Sequence, residues 1–403
     1  VAAAVVAVGH PDVGGLSGLL ASDAVAGKLS ILPDFTDPAA FLPVFVIPLA
    51  VQWWSVWYPG AEPGGGGYIA QRMLSARDET DATGATLLFN VAHYALRPWP
   101  WILVGLASLV VFPTVESIQA AFPAVGEAIL GHDLAYPAML TFLPPGLLGL
   151  VVASLAAAYM STMSTHLNWG SSYVVHDFWR RFVDPDAGER TLVAVGRTTT
   201  VLLMVLAAVL ALWLRNALQA FQILLQIGAG TGLLFILRWF WWRINAFSEI
   251  TAMVVSFVVA LWLELGMPRY FPDVQLEAWQ KLLIGVGVTT VAWIAVTYLS
   301  RPTATATLRR FYRVARPGGP GWADVAARAA AEGEPLDTDP AQDWTVPEGI
   351  LAMTTGVLAV YADLFATGYW IYGRSGIAAM LTVVAAVASV ALARIWGRVA
   401  GRA

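Results

Sequence analysis

Apolar runs too long for a globular core are the feature that most limits the fold of this chain. Residues 192–214, 247–266, 279–299, 348–370 and 377–396 each span 20 or more positions with at most two charged side chains. About 20 helical residues cross the hydrocarbon core of a bilayer. Inside it every backbone polar group must be paired within the protein, which leaves helices or closed barrels. Continuous runs without alternation select the helix. Further spans are read at about 40–58, 86–112, 142–182 and 217–240. Only 12% of the 403 residues are charged, about half the share usual in soluble domains. The class is therefore an all-α membrane protein, multi-pass in the cell membrane, with the lipid bilayer as its surroundings. The net charge of −4 says little about partners, and no nucleic-acid partner is expected. With no cysteine, disulfides and thiolate metal sites are excluded. The chain opens on Val1 inside the apolar run VAAAVVAVG, without an initiator Met or a signal-peptide basic region. Residues 1–9 read as the end of a truncated transmembrane helix, and the chain as N-terminally incomplete.

Charge placement supports this count of spans. With 70–84 taken as inside, alternation puts 176–191, 238–246, 300–346 and the C-terminus on the same side. Those segments hold Arg72, Arg77, Arg180, Arg181, Arg190, Arg238, Arg243 and a run of arginines from Arg301 to Arg328. The opposite loops hold mostly Asp and Glu, with Lys28 and Arg269 as minor exceptions. This is the positive-inside asymmetry. Residues 10–39 then form an extracytoplasmic loop and 300–346 a long polar cytoplasmic linker or surface helix, with nothing catalytic in it. Glu62-Pro63 and the four glycines 64–67 interrupt the chain after the 40–58 span, as a loop or as a break in a discontinuous helix.

Within 142–182 the apolar pattern carries a run of small and hydroxyl residues. Ala158, Ser161, Thr162 and Thr165 share one helical face. That face offers a backbone carbonyl and three hydroxyls. Oxygen ligands with no local charge suit a weakly held hard monovalent cation better than zinc or calcium. Close helix packing uses the same residue types.

Ala158-x-x-Ser161-Thr162, on a helix ending at His176-Asp177-Phe178-Trp179-Arg180-Arg181, resembles the sodium:solute symporter family of sodium–sugar and sodium–proline carriers. Tyr68-Ile69-Ala70-Gln71-Arg72, Asp133-Leu134-Ala135-Tyr136-Pro137, Gly196-Arg197-Thr198, Ala220-Phe221-Gln222 and Thr231-Gly232 are similar in order and spacing. The resemblance implies an inverted-repeat, five-plus-five helix fold of the leucine-transporter type, with only the second repeat (40–240) and the C-terminal extra helices present. Residues 241–299 and 347–403 are then peripheral helices, the latter with a short basic tail. It also implies that the Ala158 carbonyl and the Ser161 and Thr162 hydroxyls bind a coupling sodium ion. The Glu62–Gly67 segment looks like an insertion relative to the sugar carriers.

Inverted repeats place a solute near the bilayer midplane, at broken helices. Gln52, Trp53, Trp54 and Trp57 just before the break fit that role: Gln holds hydroxyls, and indole faces stack on sugar rings or cations. An interfacial tryptophan belt is the other reading. Tyr94 falls where the sugar carriers resembled here have a substrate-contacting lysine. His93 and Arg97 lie on one face, either lining a cavity or forming a structural pair. Gln222 and Gln226 share a face, one of them a solute contact or a helix–helix hydrogen bond; Gln226 is taken as the contact. Asp363 is expected to have a structural partner.

No HExxH, no phosphate-binding Gly loop followed by Lys and no paired carboxylates in a membrane cavity are read, so no enzyme is expected. The expectation is sodium-coupled uptake of a small polar solute, a sugar first, by alternating access. The alternatives are a proton-coupled carrier using His93, and a symporter-like sensor module of a receptor. The solute, the sodium stoichiometry and the oligomeric state are not legible.

Overall fold

The computed structural model describes residues 1–54, 72–126, 129–212, 214, 217–336 and 346–399. Among them no strand occurs. Eight helices are long and apolar enough to cross a membrane: α1 (Glu79–Val111), α2 (Pro145–Val183), α3 (Glu189–Ala211), α4 (Ala217–Leu237), α5 (Ala246–Tyr270), α6 (Ala278–Leu299), α9 (Val346–Ile371) and α10 (Ser375–Val399). Two shorter helices, α7 (Thr305–Ala315) and α8 (Ala323–Ala331), lie between α6 and α9.

Helix starts follow local chemistry. Asp78 caps α1 by accepting from the Asp81 amide at 2.8 Å, and Glu79 and Asp81 suit the positive end of the helix dipole. This charged first turn is why α1 begins seven residues before the apolar run read at 86. The run read at 40–58 is helical over Pro38–Ala50, shorter than a span. Pro43 and Pro48 each lack an N–H, so carbonyls one turn earlier lose their helical donors, and Leu42–Val46 is a π turn. A 3-10 turn, Gln52–Trp54, follows. The Gly-rich break at 60–67 lies outside the described residues.

The chain divides into two compact units. One holds Val1–Ala26 and Pro100–Ala220, the other Gly27–Trp99 and Phe221–Ala403. In the first, α2 and α3 meet at small residues: a Cβ on Gly170 would lie 2.9 Å from Leu203 Cδ1, and one on Gly196 3.5 Å from Val175 Cγ2. Such residues let backbones approach in lipid. Neither helix buries any of its most apolar window in the protein, so both present apolar surface outward, as a membrane allows.

In the second unit α4, α5 and α6 pack around Leu234, Phe235, Ile244, Ala252 and Trp293. Polar residues follow the same seam: the Ser248 and Thr297 hydroxyls pair at 2.6 Å, and Asn245 Nδ2 donates to Ser300 Oγ at 2.8 Å. Helices α9 and α10 close through buried alanines, among them Ala359, Ala362, Ala366, Ala378 and Ala388. Gly368 of α9 lets the Trp99 ring lie against its backbone, edge-on to Tyr372 at 5.7 Å.

The described part of the polar segment, 300–336, has a small core of its own. Leu308, Tyr312, Trp322, Val325, Ala329 and Leu336 are buried together. A turn at Gly318 and Gly319, both at positive φ, folds α8 back toward α7. Trp322 Nε1 donates to the Trp239 carbonyl at 2.8 Å, and Gly321 accepts from the Trp242 amide. Arg309 bridges Glu332 and Glu334, and these carboxylates hold its guanidinium still more firmly protonated. Trp322→Ala is expected to remove about 3–5 kcal/mol of packing here. Hydrogen exchange would then rise across 305–336 while the spans stay protected; unchanged protection there would show that the tryptophan does not hold the segment.

Candidate functional site

The hydroxyl-bearing face lies on α2 in the first unit. Ala158, Ser161 and Thr162 are all exposed. Hydroxyls in helices commonly bond back to a carbonyl three or four residues earlier. Ser154, Thr165, Ser171, Ser172 and Thr200 do so here. Among the described residues the Ser161 and Thr162 hydroxyls make no hydrogen bond, so their lone pairs are unused. The carbonyl of Ala158 keeps a second lone pair beyond its helical bond. Three neutral oxygens on one face are a donor set for a hard monovalent ion, not for a transition metal.

The expected solute residues lie in the second unit, with Trp57 outside the described residues. Trp53 is 54% exposed and meets Trp54 edge-on at 5.5 Å. Trp54 Nε1 donates to the Ala229 carbonyl at 3.0 Å. Its own carbonyl occupies the place a side chain at residue 232 would need, which requires Gly232. The 3-10 turn carrying Gln52, which is partly buried, is thereby fixed to the glycine-rich middle of α4.

Tyr94 sits in a π-helical stretch of α1, Val91–Leu96, and is partly buried. Such bulges recur at functional sites. The His93 ring meets Tyr94 edge-on at 4.8 Å and stacks on Phe89 at 4.8 Å. Arg97 Nη1 lies 2.7 Å from His93 Nδ1. A guanidinium only donates, so His93 accepts at Nδ1 and carries its proton on Nε2. The two side chains are thus joined one turn apart on the same helix. Asp363, half-buried in α9, has no hydrogen bond or ion pair among the described residues.

Gln226 is 3% exposed in α4. Its Nε2 donates to Glu264 Oε1 at 2.9 Å, and Lys281 Nζ reaches the same oxygen at 3.0 Å. Gln226 is therefore brought to α5 and α6 by the helix–helix hydrogen bond that was one of its two readings. Glu264 and Lys281 escaped the sequence reading. Each is a single charge near a span end, an ordinary place for one, and only the hairpin between α5 and α6 brings them together. The π turn Trp262–Gly266 carrying Glu264 was the other missed signal.

Similarity to known proteins identifies the family. Residues 19–256, more than half of the chain, match the model of the sodium:solute symporter family. The chain belongs to this family. The matched range includes the Ser161/Thr162 face, the Trp54 turn and the whole of α4. A sodium/glucose cotransporter of Vibrio parahaemolyticus is 29% identical over 278 residues, 64% of this chain and 49% of that protein. The sodium/myo-inositol cotransporter 2 of Sus scrofa is 30% identical over 48% of this chain and 30% of its own length. A sodium/mannose cotransporter of Bos taurus is 31% identical over 47% and 33%. The chain spans about half the length of the bacterial relative, and less of the mammalian ones. It is a multi-pass membrane protein of a transporter family.

Proposed function

We propose that this protein is a sodium-coupled symporter of a small polar solute, a sugar or polyol first, working by alternating access. The observation that carries the reading is the pair of unbonded hydroxyls, Ser161 and Thr162, beside the Ala158 carbonyl on a helix within the family match. Sodium is the co-substrate, held by neutral oxygens and so readily released. The finer fold is part of the proposal: an inverted-repeat core whose second repeat is 40–240, with 241–299 and 347–403 peripheral. The solute would lie near Gln52, Trp53, Trp57, Tyr94 and Gln226. The relatives' names, which mention glucose, myo-inositol and mannose, favour a hydroxyl-rich solute. Binding of sodium would favour the outward-open state, and solute and ion would then strengthen each other's binding by the same factor.

Uptake of labelled glucose and myo-inositol into proteoliposomes tests this, with external sodium replaced by choline. Saturable uptake in sodium and its loss in choline are expected. Proton coupling through His93 is the second reading, motivated by the ionisable His93–Arg97 pair inside a span. Uptake that persists in choline, follows an imposed pH gradient and is lost in His93→Ala would replace the first reading with the second.

A further inference from the structure

Gln226, Glu264 and Lys281 form a connected polar group inside the α4–α5–α6 packing, and its chemistry fixes which way the Gln226 amide faces. An ionised carboxylate only accepts. The Gln226 atom 2.9 Å from Glu264 must therefore be the amide nitrogen, and a flipped amide would set oxygen against oxygen. The other amide atom is then an oxygen. Gln226 Oε1 is buried and makes no hydrogen bond among the described residues. The Glu264 side chain is 9% exposed and that of Lys281 17%. Lys281 supplies the counter-charge that a carboxylate taken out of water requires. Gln226 Oε1 is thus an acceptor held in place without a donor, and leaving a buried acceptor unpaired is costly.

We infer that Glu264 and Lys281 are positioning residues which orient Gln226 so that its amide oxygen accepts from a hydroxyl of the transported solute. This rests on the proposed reading of Gln226 as a solute contact. It adds that the contact is acceptor-only and is set by two residues on the neighbouring helices. A solute with hydroxyls gains the missing donor; a carboxylate solute meets an oxygen instead. A site built for a hydroxyl rejects an analogue that lacks it far more strongly than an apolar pocket does.

The test uses the full-length protein in proteoliposomes, with glucose and myo-inositol as probes. Glu264→Gln with Lys281→Met removes both charges together at similar volume, and lets the Gln226 amide turn. The solute KM is expected to rise about tenfold, with maximal rate per inserted protein and sodium half-saturation kept. Gln226→Leu alone should raise KM comparably. Gln226→Leu added to the double variant should add nothing, because the two act through one amide. Lys281→Arg, which keeps the charge, should retain the parent KM.

An unchanged KM in the double variant, with Gln226→Leu still raising it, would overturn the positioning role alone. So would a fully additive effect of the three changes. An unchanged KM in Gln226→Leu, or no saturable uptake of either probe by the parent, would overturn the reading on which the inference rests. A double variant that fails to insert while Lys281→Arg inserts and transports normally would assign the pair to folding and overturn the inference.

Discussion

Replacing Ser161 by alanine together with Thr162 by valine is expected to raise the sodium concentration for half-maximal uptake on the order of a hundredfold. Two ion–oxygen contacts at about 1.5 kcal/mol or more each give that factor. Valine keeps the shape of threonine, and neither hydroxyl bonds to the protein among the described residues, so the helix has no hydrogen bond to lose. Surface level should therefore match the parent. No carboxylate on α2 compensates: Asp177 lies roughly 24 Å along the helix from Ser161 at 1.5 Å per residue. Thr165, whose hydroxyl already bonds to the Ser161 carbonyl at 2.8 Å, makes a control on the same face. Thr165→Val is expected to change sodium dependence much less. Equal effects from the two substitutions would move the ion site off this pair.

The second large effect is structural. A Cβ at Gly230 would lie 2.7 Å from Ser256 Cβ and 3.1 Å from Thr289 Oγ1. Both neighbours are fully or almost fully buried, at 2% and 0% exposure, so neither has room to retreat. Gly230→Leu must push α4 away from α5 and α6, at about 3 kcal/mol or more, the upper end for overpacking. The same displacement would disturb the Trp54 turn, which is anchored to α4 one residue earlier, at Ala229. Fluorescence-detected size-exclusion after heating is expected to show a large loss of the folded peak. Gly84→Ala is the control, since nothing lies within 4 Å of a Cβ there and alanine favours the helix. Equal thermal stability of the two variants would mean that the α4–α5–α6 contact is looser than it stands here.

These two expectations draw on very different amounts of sequence information. The spans were legible because lipid removes the alternative: a run of 20 apolar residues can satisfy its backbone only as a helix. The hydroxyl face was legible because 158, 161, 162 and 165 recur at helical spacing. Two prolines left the 40–58 run less clear, since they mark a break without giving its geometry, and the π and 3-10 turns there became visible only in the structure. The small core within 300–336 was not legible because its residues are few and spread across a glycine turn; Leu308, Tyr312 and Trp322 look isolated in the sequence. The Gln226–Glu264–Lys281 group was hidden for a related reason. Its members sit on three helices, 17 and 38 residues apart, and no local period links them.

Coupling to sodium is the central claim, and accumulation against a gradient tests it most directly. Proteoliposomes loaded with potassium and diluted into sodium should concentrate labelled glucose or myo-inositol above the outside level. A sodium ionophore should then release the solute, while a protonophore should leave it inside. Accumulation that survives loss of the sodium gradient, or solute that only equilibrates across the membrane in its presence, would contradict the account.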